Sequence, residues 1–166
     1  MQCVNLERHP TEVSMGINED IKQAKEFRSP YEKLVVNILY TNSWLLDQQN
    51  RLFKNYGITS PQYNVLRILR GQYPDPCTVN TIIDRMLDRM SNASRIVDRL
   101  EAKELVERTV CESDRRAKDV LITDKGLALL EEVDQELDNW TKRLKAVGQE
   151  DVEKASDILD AMRRSI

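Results

Sequence analysis

The chain has 166 residues, 40% hydrophobic and 32% charged, with a net charge of -3 and a pI near 5.4. A chain of this length forms one domain or two small lobes, and folding buries about 70% of its extended surface. No apolar run approaches the ~20 residues of a membrane span and no basic, apolar leader opens the sequence, so a membrane protein is excluded and a cytoplasmic one is expected.

Residues 1–28 are polar and read as an N-terminal arm with a short helix from Asn18 to Phe27. His9, the sole histidine, has no metal-ligand neighbours and reads as a solvated tail residue. Ser29-Pro30-Tyr31-Glu32 has the form of a capping box with proline in the first turn. It opens a helix whose Tyr31, Leu34, Val35, Ile38, Leu45, Leu46, Leu52 and Phe53 trace an apolar stripe as far as Gly57. At ~1.5 Å per residue this helix is about 40 Å long, too long to bury its stripe against one small lobe. Thr59-Ser60-Pro61-Gln62 is a second capping box, starting a helix that carries Tyr63, Val65, Leu66, Ile68 and Leu69 and halts at Gly71. After a loop through Pro74 and Pro76, Thr78 caps a helix using Val79, Ile82, Ile83 and Met86.

Between Ser91 and Gly126 a helix, two short strands and a basic turn follow without a break. Ser91 or Asn92 caps a helix in which Ile96, Val97, Leu100 and Leu105 recur at roughly helical spacing. The period then changes to two, with Val106 and Val110 on one run and Val120 and Ile122 on the next. Cys111-Glu112-Ser113-Asp114-Arg115-Arg116 forms the polar hairpin tip. This is the order of a winged helix, so the fold class is mainly α with a small β-hairpin wing. Beyond it Thr123 caps a helix whose Leu127, Leu130, Leu137, Trp140, Leu144 and Val147 step by three and four until Gly148. A last helix carries Val152, Ala155, Leu159, Met162 and Ile166. These seams, with the over-long first helix, predict a helical dimerisation lobe from residues 29–57 and 123–166, flanking a reading lobe at 58–122.

The acidic net charge argues against a polyanionic partner, but its distribution does not. Residues 61–120 hold eleven Lys and Arg against ten Asp and Glu, while residues 121–166 hold seven against eleven. Arg85, Arg89, Arg95, Arg99, Arg115, Arg116 and Lys118 are thus available to cluster on one face. The three cysteines, Cys3, Cys77 and Cys111, have neither zinc spacing nor an even count. Cys111 is the candidate redox residue, because cationic neighbours lower a thiol's pKa. No nucleophile elbow, phosphate loop, metal cluster or paired catalytic histidine appears, so no enzyme, metal or cofactor is expected.

The text LEAKELVER from Leu100 to Arg108, Asp114-Arg115-Arg116 followed by Val120, and Thr123-Asp124-Lys125-Gly126 closely resembles the MarR family of bacterial winged-helix transcription regulators. The resemblance runs from about Ser29 to the C-terminus. Two places depart from it: Glu104 stands where the family usually has glycine after the recognition helix, and the turn Leu87-Asp88-Arg89-Met90 lacks a small residue.

The resemblance implies a homodimeric DNA-binding regulator, with Asp114 holding Arg116 in position as it inserts. It also implies a small aromatic effector bound between the lobes, for which Tyr40, Trp44 and Tyr63 are the candidate pocket residues. A helix fits the major groove with its N-terminal residues at the base edges, which makes Ser91, Asn92, Ser94, Arg95 and Arg99 the readout candidates. Arg115, Arg116 and Lys118 suit a narrow minor groove or flanking phosphates. Repression at a palindromic operator is the simplest output. The rivals are a winged-helix scaffold for protein partners, which has no need of basic residues at the wing tip, and a redox-responsive regulator using Cys111.

Overall fold

The computed structural model describes residues 16–88, 90–110 and 118–165, and only the backbone at Val110 and Lys118. The chain forms two compact units, Met1–Asp47 and Gln48–Ile166. The first contains a single helical turn, α1 (Ile17–Asp20), and the larger part of α2 (Pro30–Lys54). The expected helix from Asn18 to Phe27 is thus one turn and ends where Lys22 adopts a positive φ of 54°.

At the start of α2 the capping box forms only in part. The Ser29 hydroxyl accepts the Glu32 amide at 3.2 Å, but the Glu32 carboxylate binds the Arg28 amide at 2.7 Å and the Arg28 guanidinium at 2.8 Å. The Arg28 hydrogen bonds hold the Glu32 carboxyl below its usual pKa. Phe53, near the other end, is the buried residue of α2; Tyr31, Val35, Leu39, Tyr40 and Trp44 are exposed.

In the second unit α3 (Ser60–Arg70), α4 (Val79–Arg85) and α5 (Ala93–Glu101) surround an antiparallel sheet. That sheet has three strands in the order β1 (Cys77–Thr78), β3 (Lys118–Ile122), β2 (Val106–Val110). The hairpin of β2 and β3 is the expected wing; β1 is an addition, pairing Cys77 with Val120 along the other edge of β3. Val65, Leu66 and Leu69 of α3, Ile82 of α4, Val97 and Leu100 of α5, and Val106, Val120 and Ile122 of the sheet make the core. Leu130 and Val133 of α6 (Asp124–Thr141) join it, as does Phe53.

The Thr59 box at the start of α3 is complete: Thr59 Oγ1 accepts from the Gln62 amide at 3.4 Å and Gln62 Oε1 accepts from the Thr59 amide at 3.1 Å. Thr78 and Thr123 cap α4 and α6 as their sequence positions suggest. Leu105 lies beyond the end of α5 and not within it, because the chain reverses at Glu104, whose φ is +61°. There the Glu104 amide donates to the Glu101 carbonyl at 2.8 Å and the Leu105 amide to the Leu100 carbonyl at 3.0 Å. This is the Schellman arrangement that normally uses glycine, with buried Leu100 and Leu105 as its apolar pair.

The helix after the wing does not reach Gly148. It leaves α geometry at Thr141 and tightens into a 3-10 turn over Lys142–Ala146 before α7 (Gln149–Arg164). The Thr141 hydroxyl bonds the Asp138 carbonyl at 3.0 Å, a local competitor for the helical ladder. No residue of α7 is buried, and Val152, Ile158 and Leu159 are exposed.

Candidate functional site

The helix-turn-helix pair is α4 and α5. α5 seats Ala93, Val97 and Leu100 in the core and leaves Asn92, Ser94, Arg95, Asp98 and Arg99 exposed. At about 100° of rotation per residue, Ser94, Asp98 and Glu101 share one flank, while Asn92, Arg95 and Arg99 share another about 120° away. The second flank lines a groove of about 240 Å³ closed on its far side by Thr59, Pro61 and Gln62 at the start of α3. Two guanidinium groups therefore stand beside the N-terminus of α3, an arrangement suited to phosphate oxygens as well as base edges.

Of the sequence-based readout candidates, Ser91, Asn92, Arg95 and Arg99 line this groove while Ser94 lies on the other flank, and not all have free hydrogen-bonding groups. Asn92 is the N-cap, its Oδ1 accepting the Arg95 amide at 3.1 Å. A bidentate pair with adenine uses that same oxygen together with the amide nitrogen, so the cap already engages one of the two acceptor positions such a pair would draw on. The Ser91 hydroxyl donates to Asp88 Oδ2 at 2.6 Å. Arg85, counted among the clustering charges, donates to Gln72 Oε1 at 3.1 Å.

Arg108 on β2 was not among the residues singled out by sequence. Its guanidinium runs along the flank of α5, with Nη1 3.0 Å from Glu101 Oε2 and Nη2 2.6 Å from Asp98 Oδ1. Nη2 also donates to the Ser94 carbonyl at 3.4 Å. The side chain is 18% exposed. These contacts fix α5 about its own axis and neutralise the two carboxylates on the helix that would otherwise repel a polyanion. Its signal was strand parity: Arg108 lies opposite Val120 and two residues from buried Val106, on the inward face where a charge requires partners. Lys103 adds a second tie, donating to the Gly57 carbonyl at 2.5 Å and to Gln62 Oε1 at 3.2 Å.

Asp114, Arg115, Arg116 and Cys111, the wing-tip residues, lie outside the described residues, as do Arg89, Cys3, His9 and the side chain of Lys118. Cys77 is buried and its thiol is pushed up in pKa by that burial.

Of the candidate pocket aromatics, Tyr40 and Trp44 lie one turn apart and exposed on α2 in the first unit. In the second unit Tyr63 stacks on Phe53 with ring centroids 4.5 Å apart and donates to Asp134 Oδ1 at 3.2 Å. Asp134 on α6 also pairs with Arg70 at 2.5 Å. Burial, then the nearby Asp134 charge, push the Tyr63 phenol up to about 12. Among the described residues no helix is long and apolar enough to cross a membrane.

A model of the MarR family matches residues 56–117, which include α3, β1, α4, α5 and β2. The transcriptional repressor MprA of Escherichia coli K12 is 29% identical over 121 residues, covering 68% of this chain and 69% of that protein. A MarR-like transcription regulator from Bacillus cereus shares the fold with a TM-score of 0.73 and 20% identity, over 82% of this chain and 97% of that one. Staphylococcus aureus MepR, solved in complex with DNA, shares it with a TM-score of 0.70 and 24% identity, over 85% and 100%. The helix-turn-helix pair, the β2–β3 hairpin and these likenesses converge: the chain has the fold of MarR-like transcription regulators, and its residues 56–117 match the MarR family.

Proposed function

We propose that the chain is a sequence-specific double-stranded DNA-binding regulator, acting as a homodimeric repressor on a palindromic operator and released by a small aromatic effector. It is a binding protein and not an enzyme. The observation that carries this reading is α5, which presents Arg95 and Arg99 outward on one flank while Arg108 neutralises and fixes another. MprA is a repressor and MepR has been solved on DNA, which supports the same reading here.

Association as a dimer is supported by the apolar residues that α2 and α7 leave exposed, Tyr31, Val35, Leu39, Val152 and Ile158 among them. Residues 29–57 and 123–166 form the dimerisation lobe in this reading, and residues 58–122 the DNA lobe. Paired recognition helices would address half-sites about one helical turn apart, some 34–36 Å. Ser91, Ser94, Arg95 and Arg99 serve the major groove, with Asn92 shaping the helix start. Arg115, Arg116 and Lys118 serve the minor groove or flanking phosphates, with Asp114 orienting Arg116. Tyr40, Trp44 and Tyr63 are the aromatic groups offered to an effector.

The test is binding of the purified protein to its own upstream intergenic DNA and to scrambled DNA across a salt series, with Arg116→Ala alongside. Selective binding that weakens with salt and with the substitution is the expected result. Equal binding to both DNAs, followed by an empty genome-wide site search, would remove the DNA-reading function.

A further inference from the structure

The turn that leads into α5 displays two large apolar side chains to solvent, Leu87 at 86% and Met90 at 94% exposure. Single exposed apolar residues are ordinary on a protein surface. These two belong to one short turn whose backbone is tied down. The Leu87 amide donates to Asn64 Oδ1 of α3 at 3.0 Å, and Asp88 Oδ1 accepts the Met90 amide at 3.0 Å. Asp88 Oδ2 accepts the Ser91 hydroxyl at 2.6 Å, and these bonds hold the Asp88 carboxyl below its usual pKa. On either side Met86 and Ala93 are buried. The backbone is therefore held at Leu87 and at Met90, whose side chains project outward, with buried Met86 and Ala93 beyond them. The carboxylate between them is turned back onto the turn itself.

This turn borders the N-terminal end of α5, where recognition helices approach base edges. In the major groove the apolar feature of the base code is the C5-methyl group of thymine. Methionine's unbranched, polarizable side chain adapts to such a contact. Resting on the DNA-reading function proposed above, we infer that Leu87 and Met90 form an apolar patch that reads thymine methyl groups in each half-site. Hydrogen bonding from α5 and methyl contact from the turn then specify neighbouring positions of one operator.

The experiment is to enrich an operator from random duplex DNA with the wild-type protein and then replace each thymine in turn by deoxyuridine, which lacks only the methyl. Binding is read by fluorescence anisotropy for wild type, Leu87→Ser and Met90→Ser. Uracil at one or two equivalent positions per half-site should weaken wild type about fourfold per methyl, or about fifteenfold when both half-sites of a dimer lose it. At least one variant should bind thymine and uracil duplexes alike at those positions, with its urea midpoint unchanged because the side chain is exposed. Wild-type binding that ignores uracil everywhere, or variants that both keep the wild-type thymine preference, would overturn the inference while leaving DNA reading intact. Failure to enrich any operator would remove both.

Discussion

Gly126, in the first turn of α6, lies against the chain that leaves α5. A Cβ built on it would stand 2.3 Å from the Leu105 carbonyl oxygen and 2.7 Å from Ile122 Cγ1. A comfortable carbon–oxygen contact is about 3.3 Å, so an alanine here requires movement of about 1 Å against backbone, which no change of rotamer can supply. Overpacking costs about 1–3 kcal/mol, and the upper end applies because backbone must give. The same Leu105 carbonyl accepts the Thr123 amide at 3.2 Å, and disturbing that bond adds about 1 kcal/mol. Alanine returns up to about 1 kcal/mol through helix propensity. The net expectation for Gly126→Ala is a loss of about 3 kcal/mol, or a fall in Tm of about 6–12 °C for a chain of this size. Gly71→Ala is the matched control. Its Cβ would meet the Arg67 and Ile68 carbonyl oxygens at 3.5 and 3.6 Å with a right-handed φ of -69°. A gain of about 0.4–1 kcal/mol is expected there from restricting the unfolded chain. Urea unfolding followed by circular dichroism, at one fixed protein concentration because association shifts apparent stability, measures both. A Gly126→Ala midpoint at or above wild type would refute the close-approach argument.

Three further outcomes are expected. Arg108→Met should weaken operator binding about tenfold or more in anisotropy titrations by restoring two negative charges beside the duplex. Arg108→Lys should retain only part of the affinity because it lacks the planar fork; equal affinity of all three proteins would separate Arg108 from helix placement. Asn92→Ala should weaken binding to every operator variant by a common factor, since losing an N-cap costs about 1 kcal/mol. Asn92→Ser, which keeps a cap acceptor, should recover most of the loss, and a changed base preference in either variant would show that the carboxamide itself reads DNA. Tyr63, pushed up to about 12, should be the last phenol to ionise in an ultraviolet titration. Because its folded pKa is raised, its contribution to stability is complete below the ordinary tyrosine value near 10 and is lost between there and about 12. Tyr63→Phe should abolish the highest step, and its persistence would assign that step to another tyrosine.

The parts of the fold legible in sequence were those set by neighbours a few residues apart. Thr59 with Gln62, Thr78 and Thr123 announce helix starts because a cap and its amide lie three positions apart. The strand period in Val106, Val120 and Ile122 likewise survives folding intact. What escaped depends on distant partners or on a single dihedral. β1 has two residues, too few to show a period, and exists because β3 offers Cys77 an edge at Val120. Glu104 adopts the left-handed conformation that its missing glycine seemed to forbid, and its carboxylate is anchored to Lys125 at 2.7 Å. Leu144 and Val147 continue an apolar spacing without a continuous helix beneath them. In the candidate site the residue types on α5 were readable, but the cap made by Asn92 and the grip of Arg108 needed the tertiary structure.

The junction between wing and α6 behaves as a weld. Thr123 donates its hydroxyl to the Glu104 carbonyl at 2.8 Å and its amide to the Leu105 carbonyl at 3.2 Å, and Gly126 leaves no space behind that carbonyl. The 18-residue α6 is then a stiff arm of about 27 Å, and the nine-residue α5 one of about 13 Å, joined at a nearly common pivot. A tilt of about 4° displaces the far end of such an arm by about 2 Å and the start of α5 by about 1 Å. That smaller step already exceeds the width of the hydrogen-bond distance range, about 0.5 Å. Because the junction is stiff, a slight rotation of one helix carries the other with it and puts it out of register without either unfolding.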